Sequence, residues 1–396
     1  MNVRSQGPRV VAAMLAGFAL GGCAEAQARM GSFLTNPGSV TSASASSEKV
    51  FSVLWWTKAD ETEGLPYKPI EPASPEYDPA TGAVYAATSD GKVHAFASDG
   101  RHLWDAEVGG PFNAGPTLTE GRLYVGTSRG DLVALDAADG KTLWTYSAGD
   151  ALQTRPVVSD GLVLVMTSSD TLLAIDAEKG DWKWQYRREA PGLFTLHGAG
   201  RPAVADGRVL AGFADGYAVA LDIADGGLLW AKQLSNQERF NDVDASPVID
   251  DWGRAYFAAY GSGLHAIDAA TGDTVWTYAK PGITALAIDP NNGRLFAGGP
   301  GFISAHAGDT GLPRWTMAMG EERYVTGLTV ADGPLLLAAT GRGPLLFLDT
   351  RNGKLRKAFD PGHGVYAAAT RAARGDTLVL SNRGYVYNLA IEAPVR

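Results

Sequence analysis

The sequence predicts an all-β fold assembled from eight copies of one four-stranded antiparallel unit. Tryptophans recur at spacings of 39 to 46 residues, and each lies four residues after a glycine. The six positions that follow this rule are Trp104, Trp144, Trp184, Trp230, Trp276 and Trp315. Glycine supplies 49 of 396 residues, well above the average of roughly 7%, as expected when every unit needs several turns. Self-similarity at this period is typical of arrays and propellers.

The fullest copy of the unit shows its internal structure. Between Leu123 and Trp144, apolar residues alternate with polar ones and are interrupted at Arg129-Gly130 and Asp139-Gly140. This pattern predicts strand, turn, strand, turn, strand. The preceding segment 115–118 adds a fourth strand. A four-stranded sheet of about 40 residues, repeated around an axis, is the blade of a β-propeller.

The number of units predicts how the ring closes. Lys357 takes the tryptophan place after Gly353, and Trp56 lies one interval before the series, which gives eight positions. The last hairpin, 377–389, ends before any tryptophan, whereas segment 51–56 is a strand without a blade. We therefore expect an eight-bladed β-propeller over residues 50–391, with the N-terminal strand completing the last sheet and removing two open edges.

The amino terminus resembles a secretion signal. Arg4 and Arg9 precede the apolar run 10–20, which is too short to span a membrane. The small residues before Cys23 make the segment similar to the lipobox of bacterial lipoproteins; an ordinary signal peptide with an incidental cysteine is the alternative. The resemblance implies that residues 1–22 are removed, that Cys23 is diacylated, and that 23–49 form a flexible tether. An aspartate after the cysteine would resemble the inner-membrane retention signal of lipoproteins. Because Ala24 stands there, the resemblance implies delivery to the inner leaflet of the outer membrane, on the periplasmic side.

Composition excludes several classes of protein. Cys23 is the one cysteine in the sequence, so an intrachain disulfide, a thiolate zinc site and a CxxCH haem attachment are excluded. A net charge of -9 argues against nucleic acid as a partner. The six histidines form no clustered pattern, and no metal site is predicted.

The units resemble the pyrroloquinoline-quinone-type propeller repeat. Segments 135–144, 221–230 and 267–276 carry its core pattern, L-D-x-x-x-G-x-x-x-W, almost whole. Quinone-dependent dehydrogenases share this repeat, and in that family the cofactor typically lies beneath a vicinal disulfide and beside calcium. With Cys23 assigned to lipid, we expect no such cofactor and no catalytic residues.

Two connections between units are about six residues longer than the others, and such length is displayed at a rim of a propeller. The first, 190–202, carries Leu193, Phe194 and Leu196. These apolar side chains either meet a partner or fold back over the end of a blade.

The second connection, 235–247, carries Asp242 and Asp244. Being two residues apart, they face the same side of an extended segment. The pair could bind a metal, act as acid and base, cap strand ends, or receive an arginine or lysine from another protein.

Together with the lipobox and eight blades, these insertions resemble the BamB lipoproteins of the outer-membrane β-barrel assembly machine. The matching motifs are L-x-L-x-G followed by Pro202, and D-V-D-x-x-P-V at 242–248. The resemblance implies that Leu193, Phe194, Leu196, His197, Asp242 and Asp244 lie side by side on one rim and dock onto a POTRA domain of a BamA-like protein. His197 departs from the usual arginine and Gly200 from the usual serine.

This resemblance predicts a non-catalytic scaffold, monomeric within a complex, that supports insertion of outer-membrane proteins. The alternative is a periplasmic propeller that binds a small ligand in its central funnel, or another protein.

Overall fold

The described residues of the computed structural model are 49–60, 70–189, 199–237, 240–372 and 375–392. They form 32 β-strands in eight four-stranded antiparallel sheets, and no α-helix occurs among them. The same residues therefore contain no helix long and apolar enough to cross a membrane. The eight-bladed all-β architecture predicted from the tryptophan spacing is confirmed. The predicted signal, Cys23 and nearly all of the predicted tether lie outside the described residues.

We number the blades along the chain and the strands in chain order. In blades 1 to 7, the four strands follow each other from the axis outward. Blades 1 to 4 consist of Glu76–Tyr77 (β2), Val84–Ala87 (β3), Lys92–Phe96 (β4) and His102–Glu107 (β5); Thr117–Thr119 (β6), Arg122–Gly126 (β7), Asp131–Asp136 (β8) and Thr142–Ser147 (β9); Val157–Ser159 (β10), Leu162–Met166 (β11), Thr171–Asp176 (β12) and Trp182–Arg187 (β13); Ala203–Ala205 (β14), Arg208–Gly212 (β15), Tyr217–Asp222 (β16) and Leu228–Gln233 (β17).

Blades 5 to 7 have the same order, and blade 8 combines the two ends of the chain. They consist of Val248–Ile249 (β18), Arg254–Ala259 (β19), Gly263–Asp268 (β20) and Thr274–Tyr278 (β21); Ala285–Asp289 (β22), Arg294–Gly299 (β23), Phe302–Ala307 (β24) and Pro313–Ala318 (β25); Gly327–Val330 (β26), Leu335–Ala339 (β27), Leu345–Asp349 (β28) and Leu355–Phe359 (β29); Thr370–Arg371 (β30), Asp376–Leu380 (β31), Tyr385–Ile391 (β32) and Phe51–Lys58 (β1).

The ring closes through the strand at the amino terminus. β1 pairs antiparallel with β32, from Phe51 opposite Ile391 to Lys58 opposite Tyr385. Near the axis, β30 of the last blade contacts β2 of the first. The closure predicted from the two incomplete segments is confirmed, and it joins residues more than 300 positions apart in sequence. Hydrogen bonding between β1 and β32 removes the edges that both strands would otherwise expose.

The apolar core is divided into eight clusters, each lying between two neighbouring blades. In the cluster between blades 1 and 2, Tyr85 packs with Leu123 and Leu135, all at most 3% exposed. The two middle strands of a blade are buried on both faces because each face meets a neighbour, which explains their nearly continuous apolar sequence. Burying one such large side chain stabilises the fold by about 1.5–3 kcal/mol.

The repeated tryptophans connect each blade to the next. Each indole Nε1 donates a hydrogen bond of 2.8 to 3.2 Å to a backbone carbonyl in the β-turn between the outer strands of the following blade. Each ring also covers the glycine of that turn. A Cβ built on these glycines would lie only 2.4 to 2.9 Å from the indole, and the glycine φ values are 70° to 78°. Any other residue there would combine a left-handed backbone with a steric clash.

These contacts explain the residues of the repeated pattern. In blade 2, the Asp136 side chain accepts a hydrogen bond of 2.8 Å from the amide of Ala138 and holds the turn. Gly140 supplies the left-handed conformation beneath Trp104 of blade 1. Trp144, in turn, reaches the carbonyl of Ala177 in blade 3. The pattern therefore encodes both sides of one contact between blades.

The seventh tryptophan contact is made by Trp55, which corrects the sequence assignment of Trp56. The Trp55 indole donates to the carbonyl of Ser98 at 2.7 Å, and its ring covers Gly100. Trp56 is 46% exposed. A β-bulge between Val53 and Trp55 sets this register. In several other blades, the tryptophan that makes the contact directly follows a leucine, and Trp55 follows Leu54 in the same way. This Leu-Trp pair was the sequence signal for Trp55.

The junction between blades 7 and 8 lacks the tryptophan contact. Lys357 stands in the tryptophan register, opposite Phe347, as its position in the sequence predicts. The Phe51 ring of β1 stacks on Phe347 with 4.8 Å between ring centroids, and it meets Phe359 edge to face. Aromatic side chains from the closing strand therefore replace the indole at this junction.

A second set of contacts joins blades near the axis. Threonine hydroxyl groups on or beside the innermost strands donate to backbone carbonyls of the following blade. The pairs are Thr117 to Pro156 (2.7 Å), Thr284 to Val325 (2.8 Å), Thr326 to Tyr366 (2.6 Å), Thr329 to Ala369 (2.7 Å) and Thr370 to Pro75 (2.6 Å). The innermost strands are short, so these side-chain bonds supplement their few backbone pairs.

Two tryptophans on β13 provide a test of the contact between blades. Trp184 is 5% exposed and makes the contact with blade 4, whereas Trp182 on the same strand is 52% exposed. We expect Trp184→Ala to lower the free energy of unfolding by about 3–5 kcal/mol, since it leaves a cavity and an unpaired carbonyl. Trp182→Ala, the matched control, should cost less than about 1 kcal/mol. Chemical denaturation of both variants measures the difference, and equal losses would contradict this account.

Candidate docking site

The predicted docking residues fall into two groups in the structure. Leu193, Phe194, Leu196 and His197 lie in segment 190–198, outside the described residues. Asp242 and Asp244 are described, and they lie on the connection between β17 of blade 4 and β18 of blade 5.

The acidic segment is fixed between blades 4 and 5. The Val243 amide donates to the carbonyl of Phe213 at 3.2 Å, and the Asp242 carbonyl accepts from the amide of Tyr260 at 2.9 Å. Val243 and Ala245 are each 1% exposed and belong to core clusters on successive blade interfaces. Val243 and Ala245 hold the segment in the core, and Asp242 lies close enough to Asp244 to act on its charge.

The aspartates are less exposed than the sequence analysis expected. Asp242 is completely buried, and Asp244 is half-buried. The expectation of two acidic side chains displayed at the rim is therefore wrong for Asp242. The physical reason is the insertion of Val243 into the core, which draws the neighbouring backbone between the blades.

Two further aspartates belong to this cluster, and sequence reasoning missed both as site residues. Asp170 lies in the turn between β11 and β12, and Asp215 lies in the equivalent turn of blade 4. Asp170 interacts electrostatically with Asp242 and Asp215. In a blade, the turn between the second and third strands and the connection to the next blade emerge at the same rim. All four carboxylates therefore gather at one rim, across blades 3 to 5.

Asp170 was detectable in the sequence as a departure from the repeat. Equivalent turns of blades 1, 2 and 4 carry Gly91, Gly130 and Gly216, all with positive φ. Asp170 adopts the same left-handed conformation with φ of 54°, which aspartate tolerates better than most residues. Its Oδ2 accepts a hydrogen bond of 3.0 Å from the amide of Ala214 in the next blade. An aspartate at a position where the other blades carry glycine was the sequence signal for Asp170, and the tryptophan spacing alone does not reveal it.

One cation partly offsets the acidic cluster. The Nε of Arg188 donates to Asp215 at 2.6 Å, and its guanidinium lies 4.1 Å from the centre of the Tyr217 ring. The charge of Asp242 acts on Asp170, and the charges of Asp242 and Asp170 act on Asp244. Within the described part of the chain, no group of three or more His, Cys, Asp or Glu side chains is arranged to hold a metal ion.

The electrostatics of the cluster favour an incoming positive charge. Burial, with the nearby charges of Asp215 and Asp242, raises the pKa of Asp170 to about 6. Burial, with the charge of Asp242, raises the pKa of Asp244 to about 6. A carboxylate is costly in this setting because it is desolvated and faces like charges. A lysine or arginine of a partner protein would offset both the cost of desolvation and the repulsion between the like charges.

The chain that follows the apolar segment 190–198 packs against the acidic segment. These residues, Gly200 and Arg201, pack on the chain at 244–246. A Cβ on Gly200 would lie 2.9 Å from the carbonyl oxygen of Ala245, and the Arg201 amide donates to Ser246 Oγ at 2.9 Å. Gly200 is thus required for this close approach, which explains the absence of the serine implied by the sequence resemblance.

Comparison with known proteins identifies the family. A family model described as outer membrane protein assembly factor BamB matches residues 89–292. The protein of that name from Legionella pneumophila (strain Paris) is 38% identical over 315 residues, which cover 78% of this chain and 81% of the relative. The chain belongs to the BamB family. The Escherichia coli (strain K12) family member is 29% identical over 355 residues, covering 85% of this chain and 88% of the relative.

Solved structures show the same fold. The crystal structure of BamB from Moraxella catarrhalis has a TM-score of 0.74 at 21% identity, covering 86% of this chain and all of the other. A quinohemoprotein alcohol dehydrogenase from Pseudomonas putida HK5 has a TM-score of 0.68 at 14% identity, covering 87% of this chain and 78% of the enzyme. At these identities the likeness concerns the fold alone. The Legionella and Escherichia relatives are named as assembly factors, which confirms the expectation that this BamB-family chain is not a quinone-dependent dehydrogenase.

The raised pKa of Asp244 predicts how stability depends on pH. Its folded-state pKa of about 6 lies above the unfolded value of about 4. The folded protein therefore holds the extra proton between these values, and stability falls as pH rises through this window. We expect Asp244→Asn to raise the free energy of unfolding by about 1–2 kcal/mol at pH 7.5, and by progressively less toward pH 4.

Denaturation of wild type and Asp244→Asn across this pH range measures the effect. Asp251→Asn serves as the control, because Asp251 is exposed on a turn at the opposite rim, and such a surface substitution should change stability by less than about 0.5 kcal/mol. A loss of stability in Asp244→Asn at pH 7.5 would contradict the electrostatic description of the cluster.

Proposed function

We propose that this protein is a non-catalytic scaffold of the outer-membrane β-barrel assembly complex, anchored by lipid to the periplasmic face of the outer membrane. The coarser part of this proposal, a role in outer-membrane protein assembly and association with that membrane, rests on its BamB relatives over most of the chain. The finer part concerns the docking surface and the anchor, each with its own support.

The docking surface combines the acidic cluster with segment 190–198, and its partner is a POTRA domain of a BamA-like protein. The observation that carries this assignment is the half-buried Asp244, whose pKa burial and the charges of Asp242 and Asp170 raise to about 6. Such a carboxylate gains more from a partner's arginine or lysine than an exposed one would. Phe194 and Leu196 supply the apolar contact in this proposal, and Leu193 and His197 complete it.

A variant that keeps the fold but removes the charge tests the docking surface. We expect Asp244→Asn to weaken binding to purified POTRA domains by at least tenfold, because a charge-assisted contact at a desolvated position is lost. Asp251→Asn should bind as the wild type does. Calorimetric titration provides the affinities.

The same substitution separates docking from folding. Asp244→Asn is expected to be more stable than the wild type at neutral pH, so a weaker complex could not be attributed to unfolding. Asp244→Arg should abolish co-purification with the BamA-like protein from membranes. Wild-type affinity in both variants would remove the acidic cluster from the interface.

The anchor is Cys23, and its support is the sequence around it. We expect mass spectrometry of the mature protein from membranes to find a diacylated Cys23 at the amino terminus, since the apolar run 10–20 and the small residues before Cys23 match a lipoprotein signal. Cys23→Ser should abolish the lipid-dependent detergent partitioning, whereas Ser32→Ala in the tether should preserve it. An unmodified cysteine in the mature protein would contradict lipid anchoring.

A further inference from the structure

The axis of the propeller contains a cavity of about 360 Å³. Its lining comes from all eight blades, at the positions where the innermost strands begin. Cavities of this size are in the range that binds small molecules. The walls are largely neutral, built from small residues and hydroxyl groups, so the charged residues determine what the cavity can hold.

The charged side chains among the described lining residues are both arginines. Arg155 precedes the innermost strand of blade 3, and Arg201 precedes that of blade 4. The protein is acidic as a whole, with a net charge of -9, so two neighbouring guanidinium groups at its axis are a local reversal of sign. Burial lowers the pKa of both, and the charge of Arg201 adds to the shift at Arg155.

Arg155 has an anionic partner inside the protein. Its Nη2 forms an ion pair with Glu76 of β2, and its Nε donates to Thr117 Oγ1 at 3.2 Å. The Thr117 hydroxyl in turn donates to the carbonyl of Pro156. Arg155 therefore brings its own counter-charge and adds little net charge to the cavity.

Arg201 differs from Arg155 in this respect. Its Nε is buried and has no hydrogen-bond partner among the described residues. Its backbone is held by Ser246, so the side chain starts from a fixed position beside the cavity. Arg201 as a whole is half-buried. A partly desolvated guanidinium without an anion is costly, and proteins normally pair such a group.

The neighbouring hydroxyl groups do not supply that partner. Thr284, Thr326 and Thr370 line the cavity, but their hydroxyl protons are donated to carbonyls of the next blade. They present oxygens to the cavity. A ligand that satisfies Arg201 must therefore bring an acceptor with negative charge, and it can use its own hydroxyl or amine groups to donate to the threonine oxygens.

We propose that the axial cavity binds a small molecule with a carboxylate or phosphate group, which accepts hydrogen bonds from Arg201. The guanidinium fork matches both groups in a bidentate geometry. One uncompensated arginine corresponds to one anionic group. None of the four aspartates of the acidic cluster lines this cavity, and the proposal goes beyond the assembly role without depending on it.

Thermal unfolding with two probes tests the site. The full-length mature protein, in detergent, is titrated with inorganic phosphate and separately with succinate. A ligand that binds the folded state raises the unfolding midpoint in proportion to its affinity and concentration. We expect at least one probe to raise the wild-type midpoint, and the probe with the larger shift identifies the anionic group.

Arg201→Gln is the test variant, and Arg101→Gln is its control, because Arg101 is exposed on a turn far from the axis. The dissociation constant should rise at least tenfold in Arg201→Gln and stay unchanged in Arg101→Gln. No shift of the wild-type midpoint with either probe, or equal shifts in wild type and Arg201→Gln, overturns the proposal.

Folding of the variant is controlled in two ways. Without added anion, Arg201→Gln should unfold at or above the wild-type temperature, since it removes an uncompensated buried charge. If the variant fails to fold, wild-type crystals soaked in tungstate decide the matter. An anomalous peak within hydrogen-bond distance of Arg201 supports the site, and a cavity without such a peak overturns it.

Discussion

The structure depends on one repeated contact, in which an indole of one blade covers a glycine turn of the next and donates to its carbonyl. A single blade is a four-stranded sheet with two apolar faces, and it cannot bury either face alone. The indole contact fixes how far apart and at what angle two blades lie, and the apolar clusters then fill the space between them. The inner threonines repeat this arrangement near the axis with smaller groups. Stability is therefore distributed over eight interfaces, seven with the indole contact and one with the stacked aromatic rings of Phe51 and Phe347.

Because stability is distributed in this way, parts of the chain contribute little to it and their sequence is less constrained. Turns and connections at the rim need only join strands, so their sequence can depart from the pattern where a function requires it. The acidic cluster is formed at three such places. They are Asp170 in a turn where other blades carry glycine, Asp215 in the equivalent turn of the next blade, and the inserted segment with Asp242 and Asp244. The axis is a second such place, because short innermost strands leave a cavity whose walls can carry a charge without disturbing the core.

The fold was predictable in detail, and the site only in part. Tryptophan spacing predicted the blades, and the unmatched segments at the two ends predicted the closure through β1. The choice of Trp56 over Trp55 was wrong because a β-bulge shifts the register by one residue, and spacing alone does not resolve a bulge. At the proposed docking site, the spacing of Asp242 and Asp244 predicted a common side for the two carboxylates. It did not predict their burial, which depends on Val243 entering the core between two blades.

The sequence by itself determined the repeat, the number of blades and the strand that closes the ring, because these follow from local patterns of turn glycines and alternating apolar residues. The tertiary structure decided which distant residues became neighbours. Asp170 joins Asp242 and Asp244, and Arg155 approaches Arg201, only because the ring brings equivalent positions of successive blades together at one rim or at the axis. The pKa values of these carboxylates and the unpaired Nε of Arg201 result from that convergence and from the desolvation it causes, and no local pattern encodes either.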